Sequence, residues 1–182
     1  MKKQSASVSR NFRFDSASAA SLEFESQRKG VSLNALVNNI FRKYSEFDRL
    51  AERTDMVTMN RYLLRVLIDL IPEESLSDKA FQFGKEAGHD NLLFWKKKVS
   101  VDTLREYITN TLCEYCNLAE YDIDGDTDMF VLTHELGPKG TLFLKSYIQG
   151  IVVGCLNKRL KVEGTGSTIS FTLKDGIETP PS

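Results

Sequence analysis

Polar and aromatic side chains alternate near the start of the 182-residue chain, in a pattern suited to reading DNA bases. Successive side chains of a strand point to opposite faces, so Ser9, Asn11 and Arg13 share one face, while Phe12 and Phe14 share the other. Arginine matches the O6/N7 edge of guanine, and asparagine matches the N6/N7 edge of adenine. The spacing therefore predicts base contacts by the polar face. The alternative is an ordinary amphipathic edge strand with a solvated polar face.

A second candidate contact lies at Ser32, which has a residue type preferred at a helix N-cap. A helix that starts there leaves the backbone amides of Leu33 and Asn34 free at its positive end, where phosphate groups bind well. Base contacts specify sequence, whereas phosphate contacts fix register. The two features together predict a DNA-binding surface.

Two helices must position these residues. The first is expected after Asp15 or Ser16 and ends before Gly30, a residue typical of a helix C-terminus. The second opens at Ser32 and continues to about Arg53, because its apolar residues recur at spacings of three and four. These are Leu33, Leu36, Val37, Ile40, Phe41, Tyr44, Phe47 and Ala51.

This order of elements resembles the ribbon-helix-helix family, the Arc/MetJ type of repressor, over roughly a fifth of the chain. The resemblance rests on the strand that ends in Arg13-Phe14, the first helix, Gly30-Val31-Ser32 and the apolar-periodic second helix. It implies an intertwined homodimer that inserts its paired strands into the major groove of double-stranded DNA. By position, it implies that base contacts come from Ser9, Asn11 and Arg13, phosphate contacts from Ser32, Leu33 and Asn34, and the dimer core from Phe12, Phe14, Leu36, Val37 and Ile40.

Two features depart from that family pattern. Arg10 occupies an inward position where an aliphatic residue is usual, so either the ribbon is shorter or Arg10 turns outward to a phosphate. The first helix is also poor in apolar residues, offering mainly Ala19, Leu22 and Phe24.

The charge distribution agrees with a DNA-binding head, although surface variation alone can produce it. Residues 1–54 carry ten Lys/Arg against six Asp/Glu, and the rest carry fourteen against nineteen. The first ten residues lack the apolar segment of a secretory signal, and no apolar run is long enough to span a membrane. Three cysteines provide no disulfide framework. We therefore expect a cytoplasmic protein with reduced thiols and no membrane association.

The remaining two thirds of the chain predict an α+β domain. Helices are expected over Asn60–Ile71 (apolar on most faces and therefore buried), Ser75–Ala87 (ending at Gly88), Val101–Cys116 (with Ser100 as its cap) and Thr141–Leu156, where Gly150 and Gly154 permit close helix packing. Strands are expected over Glu120–Asp124, Asp126–Glu135, Arg159–Glu163 and Thr168–Leu173, as a small, mostly antiparallel sheet. The domains are then 1–53 for DNA binding, 54–174 for sensing or oligomerisation, and a disordered tail at 175–182.

The second domain is faintly similar in its order of elements to small-ligand sensor domains of the haem-NO and vinyl-reductase type. With Tyr147 or Tyr107, His134 would line a ligand pocket, since histidine supplies both a donor and an acceptor. The alternative is a hydrogen-bonded core histidine. The effector, if one exists, has no identifying motif.

Other motifs favour structural roles. Cys113 and Cys116 share a helix face, but a four-ligand zinc site would need further ligands from distant segments. The alternating aspartates from Asp122 to Asp128 lack the Gly and Glu positions of a calcium loop. No catalytic motif is present, so neither an enzyme nor a resident metal or cofactor is expected.

We therefore expect a homodimeric, sequence-specific transcriptional regulator, most simply a repressor, with tetramers as a further option. Three alternatives remain. One is an antitoxin with the same head and a protein partner. Another is a metal-responsive repressor using His89, His134 and the cysteines. The third is a structural protein whose ribbon only dimerises.

Overall fold

The computed structural model describes residues 8–53, 56–174 and 176–178. The chain divides into two compact units, Met1–Ser45 and Glu46–Ser182. The sequence places the boundary later, at Arg53. In the described part of the chain, no helix combines the length and the apolarity needed to cross a membrane.

The described part of the N-terminal unit contains two helices, α1 (Ser16–Arg28) and α2 (Leu33–Lys43). The side chain of Asp15 accepts a hydrogen bond from the Ser18 amide at 2.9 Å, and Ser32 Oγ accepts one from the Ala35 amide at 3.2 Å. Gly30 joins the helices at a φ of +64°, a conformation that most other residues adopt only with strain. Both predicted helix starts and the glycine turn are therefore confirmed.

Residues 8–15 are neither helical nor paired as a strand within the single chain. The predicted strand was expected to pair with a second copy, so the ribbon stays a prediction. The chain after α2 remains helical, as a π-helical turn (Tyr44–Asp48) and the short α3 (Arg49–Ala51). The second helix was expected to reach Arg53 without this change of geometry.

The C-terminal unit contains four further helices: α4 (Arg61–Asp69), α5 (Glu73–Lys96), α6 (Val101–Glu106) and α7 (Gly137–Leu156). A π-helical segment, Tyr107–Tyr115, continues α6. The predicted cap of α6 is confirmed, because Ser100 and Thr103 exchange side-chain and backbone hydrogen bonds.

The sheet has four antiparallel strands in the order β1 (Glu120–Ile123), β2 (Met129–Thr133), β5 (Thr168–Thr172) and β4 (Glu163–Thr165). A separate pair joins β3 (Arg159–Leu160) to β6 (Ile177–Glu178). Phe130 and Phe171 are cross-strand partners, and their rings stack at 5.1 Å. The α+β class, with one helix inserted between the strands, is confirmed for this unit.

Close packing of α5 against α7 organises the core. A Cβ atom at Gly84 would overlap the carbonyl oxygen of Tyr147, and one at Gly150 would overlap that of Phe81. A Cβ atom at Gly88 would lie 3.0 Å from the Cα of Ile151. These glycines let the two backbones approach directly, which confirms the predicted close packing of α7.

Three expectations were wrong. Gly88 does not end a helix, because α5 runs through it and uses the missing side chain for packing. The helix predicted over Asn60–Ile71 is largely exposed on one side, because only its Leu64, Ile68 and Ile71 side meets the core. The tail is not wholly without structure, since Ile177–Glu178 pairs with β3. Residues 175 and 179–182 lie outside the described part.

Candidate nucleic-acid interface

The polar side chains predicted to read bases are accessible in the N-terminal unit. Ser9, Asn11 and Arg13 are all exposed. Arg10 is exposed as well, and its Nη1 donates a hydrogen bond to the backbone oxygen of Ser9 at 3.0 Å. Among the described residues, neither Arg10 nor Arg13 contacts a carboxylate. Both guanidinium groups are therefore available to an anionic partner.

Two carboxylates at the ends of α1, those of Asp15 and Glu25, have local partners. Hydrogen bonds from Ser18 lower the pKa of Asp15. Hydrogen bonds from Arg28 and Lys29 lower the pKa of Glu25 to about 2. These acids remain ionised at neutral pH, but they are tied to the cap and to neighbouring cations rather than to the basic segment before α1.

The aromatic face of the same segment is only partly covered. Phe12 is 58 % exposed and Phe14 is 50 % exposed. The ring of Phe12 lies 5.3 Å from that of Phe41 on α2. Phe41 belongs to the apolar repeat of the second helix, but the sequence did not assign it to the dimer core.

An apolar groove lies beside these rings, between α1 and α2. It encloses about 520 Å³ and is lined by Phe14, Ala17, Ser18, Ser21, Leu22, Val37, Ile40 and Phe41. Of the predicted dimer-core residues, Leu36 is buried and Val37 is half-buried, while Ile40 is 46 % exposed. The groove thus brings Phe14, Val37 and Ile40 together on one open face.

The predicted phosphate contacts surround the first turn of α2. Ser32, Leu33 and Asn34 are exposed. The side chain of Ser32 already binds the Ala35 amide, so it acts as the cap of the helix. The amides of Leu33 and Asn34 precede the first residue with an intrahelical acceptor and have no partner among the described residues. They are accessible donors at the positive end of α2.

Of the three residues of the predicted ligand pocket, the structure brings the two tyrosines together, whereas His134 has other partners. Tyr107 and Tyr147 are buried and share a hydrogen bond of 3.3 Å between their hydroxyl groups. His134 borders a different feature, a surface cleft of about 590 Å³ whose described lining includes neither tyrosine. The cleft at His134 therefore does not contain the expected tyrosines, and a ligand pocket formed by the three residues stays a prediction.

His134 instead joins the start of α7 to the β4–β5 turn. Its Nδ1 accepts a hydrogen bond from the Leu136 amide at 3.1 Å, so Nε2 carries the proton and faces Thr141 Oγ1 at 3.0 Å. The Thr141 hydroxyl donates to the backbone oxygen of Gly166 at 2.5 Å. Burial lowers the pKa of His134. Both ring nitrogens are satisfied, which matches the alternative of a core histidine.

Two of the three cysteines, Cys113 and Cys155, lie in surroundings that disfavour the thiolate form. Burial raises the pKa of Cys113 to about 12 and that of Cys155 to about 11. Metal binding and redox exchange need the thiolate. Within residues 8–53, 56–174 and 176–178, no group of three or more His, Cys, Asp or Glu side chains is placed to hold a metal ion.

Comparison with known proteins does not assign the chain to a family. No family model matches it, and neither a curated protein nor a solved structure is significantly similar.

Proposed function

We propose that this protein is a sequence-specific, DNA-binding transcriptional regulator of the cytoplasm that acts as a homodimer. In this proposal the N-terminal unit is a ribbon-helix-helix module, and its strands pair across two copies in the major groove. The function is regulatory rather than catalytic. The observation that carries the proposal is the open apolar face of the N-terminal unit, directly beside an exposed polar and basic segment.

The open face supports a dimer because the unit has too little core of its own. Among its described residues, Leu36 is the only large apolar side chain that is buried. Phe12, Phe14 and Ile40 each remain about half exposed, and exposed apolar surface of this kind marks interaction sites. A second copy would cover the groove with the same residues, as a two-fold interface requires.

The polar segment supports DNA as the ligand. Arg13 and Asn11 are the side chains that discriminate guanine and adenine, each by about 1–3 kcal/mol. In the proposed dimer, each subunit presents Ser9, Asn11 and Arg13 to bases. Arg10 and the amides of Leu33 and Asn34 bind phosphates, which fixes the orientation of the ribbon.

The C-terminal unit supplies regulation or further assembly in this proposal. A signal that changes its conformation or its contacts would alter the spacing of two heads, and hence their affinity for an operator. No effector is assigned, because neither expected tyrosine lines the cleft beside His134.

The proposal is tested by fluorescence anisotropy on the DNA upstream of the gene and on random DNA, each at two salt concentrations. Wild type is compared with Asn11→Ala/Arg13→Ala. The expected result is preferential binding to the upstream DNA that the double variant loses, because two base-reading side chains per subunit are removed. Affinity should also fall as salt rises, because bound cationic side chains release counterions from DNA.

Lys158→Ala is the matched control, since it removes one positive charge from an exposed site of the C-terminal unit. It should retain the preference. Equal binding of wild type and the double variant to both DNAs would contradict base reading by the ribbon. Absence of DNA binding by a folded dimer would contradict the proposed function as a whole.

A further inference from the structure

The surface cleft beside His134 is enclosed by three elements of the C-terminal unit that are fastened to one another. Residues of α4, of the start of α7 and of the β4–β5 turn line its volume of about 590 Å³. The Lys139 ammonium donates to the backbone oxygens of Asp69 at 2.9 Å and Ile71 at 2.6 Å, which ties the start of α7 to the end of α4. The His134 amide donates to the backbone oxygen of Ser167 at 2.9 Å, which ties the end of β2 to the turn. The cleft is therefore preformed, as small-molecule sites of about 300–1,000 Å³ usually are.

Side-chain donors predominate in the lining of this cleft. They are the guanidinium groups of Arg61 and Arg65 and the hydroxyl groups of Tyr62 and Ser167, against the single carboxylate of Glu135. Within the part of the chain that the structure describes, none of these four donor side chains takes part in a hydrogen bond. The cleft therefore presents unused donors to a ligand that accepts hydrogen bonds.

The two arginines lie on one face of α4, because residues four apart are neighbours on a helix. Arg61 Nη2 lies 3.5 Å from Glu135 Oε2. Arg65 Nε lies 3.7 Å from Asp69 Oδ2. Both separations exceed the length of a charge-assisted hydrogen bond, about 2.7–2.9 Å, and exposed ion pairs of this kind contribute little to stability. Both guanidinium groups therefore retain the paired donors that match a carboxylate or a phosphate group.

The start of α7 adds positive potential to the same cleft. The first amides of a helix have no intrahelical acceptor and form its positive end. Leu136 provides no side-chain cap for α7, and the first turn of that helix contains no acidic residue. The Arg65 guanidinium lies against this end, since a Cβ atom at Gly137 would be 3.2 Å from Arg65 Nε. A cation beside a positive helix end is unfavourable, and an anion bound in the cleft would relieve that repulsion.

The remaining lining narrows the class of ligand. Two guanidinium groups and one carboxylate give the lining side chains a formal charge of +2 − 1 = +1. The rings of Tyr62 and Pro138 add apolar surface, and Tyr62 is 75 % exposed, so its ring is free to pack on a ligand. This combination favours a small organic anion with a charged group at the arginines and a compact body against the two rings.

We propose that this cleft binds a small organic anion through a phosphate or carboxylate group held by Arg61 and Arg65. The hydroxyl groups of Tyr62 and Ser167 donate further hydrogen bonds to the ligand. The site goes beyond the proposed function, because it requires neither dimerisation nor DNA. It gives the C-terminal unit a ligand of defined chemical class.

Isothermal titration calorimetry on the full-length protein tests the site with three probes, which are inorganic phosphate, adenosine monophosphate and citrate. The first carries the anionic group alone, the second joins a phosphate to a compact body, and the third offers carboxylates instead. Wild type should bind at least one of them with a Kd below about 1 mM. The probe that binds distinguishes phosphate from carboxylate recognition. Failure of all three probes to bind would overturn the proposal.

Arg61→Gln/Arg65→Gln should weaken binding of that probe at least about tenfold, because it removes the charge-assisted donors while retaining polar side chains. Arg159→Gln is the matched control, since it removes an exposed arginine from the same unit outside the cleft. It should bind as wild type does. Equal affinities of the double variant and wild type would overturn the proposal.

Glu135→Gln should act in the opposite direction and tighten binding about threefold, because it removes a carboxylate that attracts Arg61 and repels an anion. This expected gain keeps the test decisive even if the double arginine variant fails to fold. Unchanged or weaker binding by Glu135→Gln would contradict the site.

Asn11→Ala/Arg13→Ala separates this site from the proposed DNA-binding segment. It should bind the probe with the wild-type affinity, whatever its effect on DNA binding. Loss of probe binding in this variant would place the anion on the N-terminal unit and overturn the cleft as its site.

Discussion

The two units of this chain differ in how much of their apolar surface is buried within the single chain. In the C-terminal unit, α5, α7 and the sheet enclose a continuous core in which residues such as Leu92, Phe130 and Ile151 are fully buried. In the described part of the N-terminal unit, one large apolar residue, Leu36, is buried. Hydrophobic burial is the main favourable contribution to folding. In the proposed dimer, a second copy supplies the N-terminal unit with the burial that the C-terminal unit obtains from its own chain.

The largest expected contrast comes from truncating one phenylalanine in each unit. Phe130→Ala should lower the free energy of unfolding of the C-terminal unit by about 3–5 kcal/mol, because it leaves a cavity in a closed core. Phe14→Ala should leave that value unchanged and instead weaken self-association, because Phe14 is half exposed in the single chain. Chemical denaturation and sedimentation measure the two effects. A similar loss of intrinsic stability from both variants would contradict the contrast.

A smaller effect concerns the protonation of His134. Its pKa is lowered by burial, so the folded protein binds this proton less readily than the unfolded chain, whose histidines have an ordinary value near 6.5. The contribution of His134 to the free energy of unfolding should be fully present above the unfolded-state pKa of about 6.5. It should decrease as the pH falls from there towards the lower pKa of the folded state. Denaturation of the C-terminal unit at several pH values measures this slope.

His134→Asn should flatten the slope, because asparagine retains a hydrogen-bond acceptor but does not titrate. His89→Gln, at an exposed histidine, is the matched control and should retain the wild-type slope. Identical slopes for His134→Asn and wild type would assign the pH dependence to other groups.

The sequence predicted the elements that are encoded locally. Short polar side chains are preferred at helix N-caps, where they bind a backbone amide two or three residues ahead. This preference predicted the caps that the structure shows at Asp15, Ser32 and Ser100. The strands and the α+β class followed from the change in apolar periodicity. These signals lie within short stretches of the sequence and do not depend on which segments pack together in the fold.

The errors arose where tertiary contacts decide the outcome. The glycine at position 88 has the composition of a helix end, but its role depends on Ile151 from another helix. The apolar composition of α4 suggested burial, yet among the described residues of its own unit only one side of the helix meets the core. His134 was expected beside a tyrosine, whereas it binds Leu136 and Thr141, and the Thr141 hydroxyl donates in turn to Gly166 in the distant β4–β5 turn. Of the candidate interface, the sequence identified the polar residues, but it did not identify the packing of Phe41 on Phe12.

In the proposed function, the segment before α1 becomes a strand only when two copies meet. Hydrogen–deuterium exchange of the full-length protein, followed across the concentration range of dimerisation, tests this directly. Amides of residues 8–14 should gain protection as the dimer forms, while those of the C-terminal core around Ile148 should stay protected at every concentration. Rapid exchange throughout residues 8–14 in a protein that is demonstrably dimeric would contradict the ribbon and the DNA-binding function proposed for it.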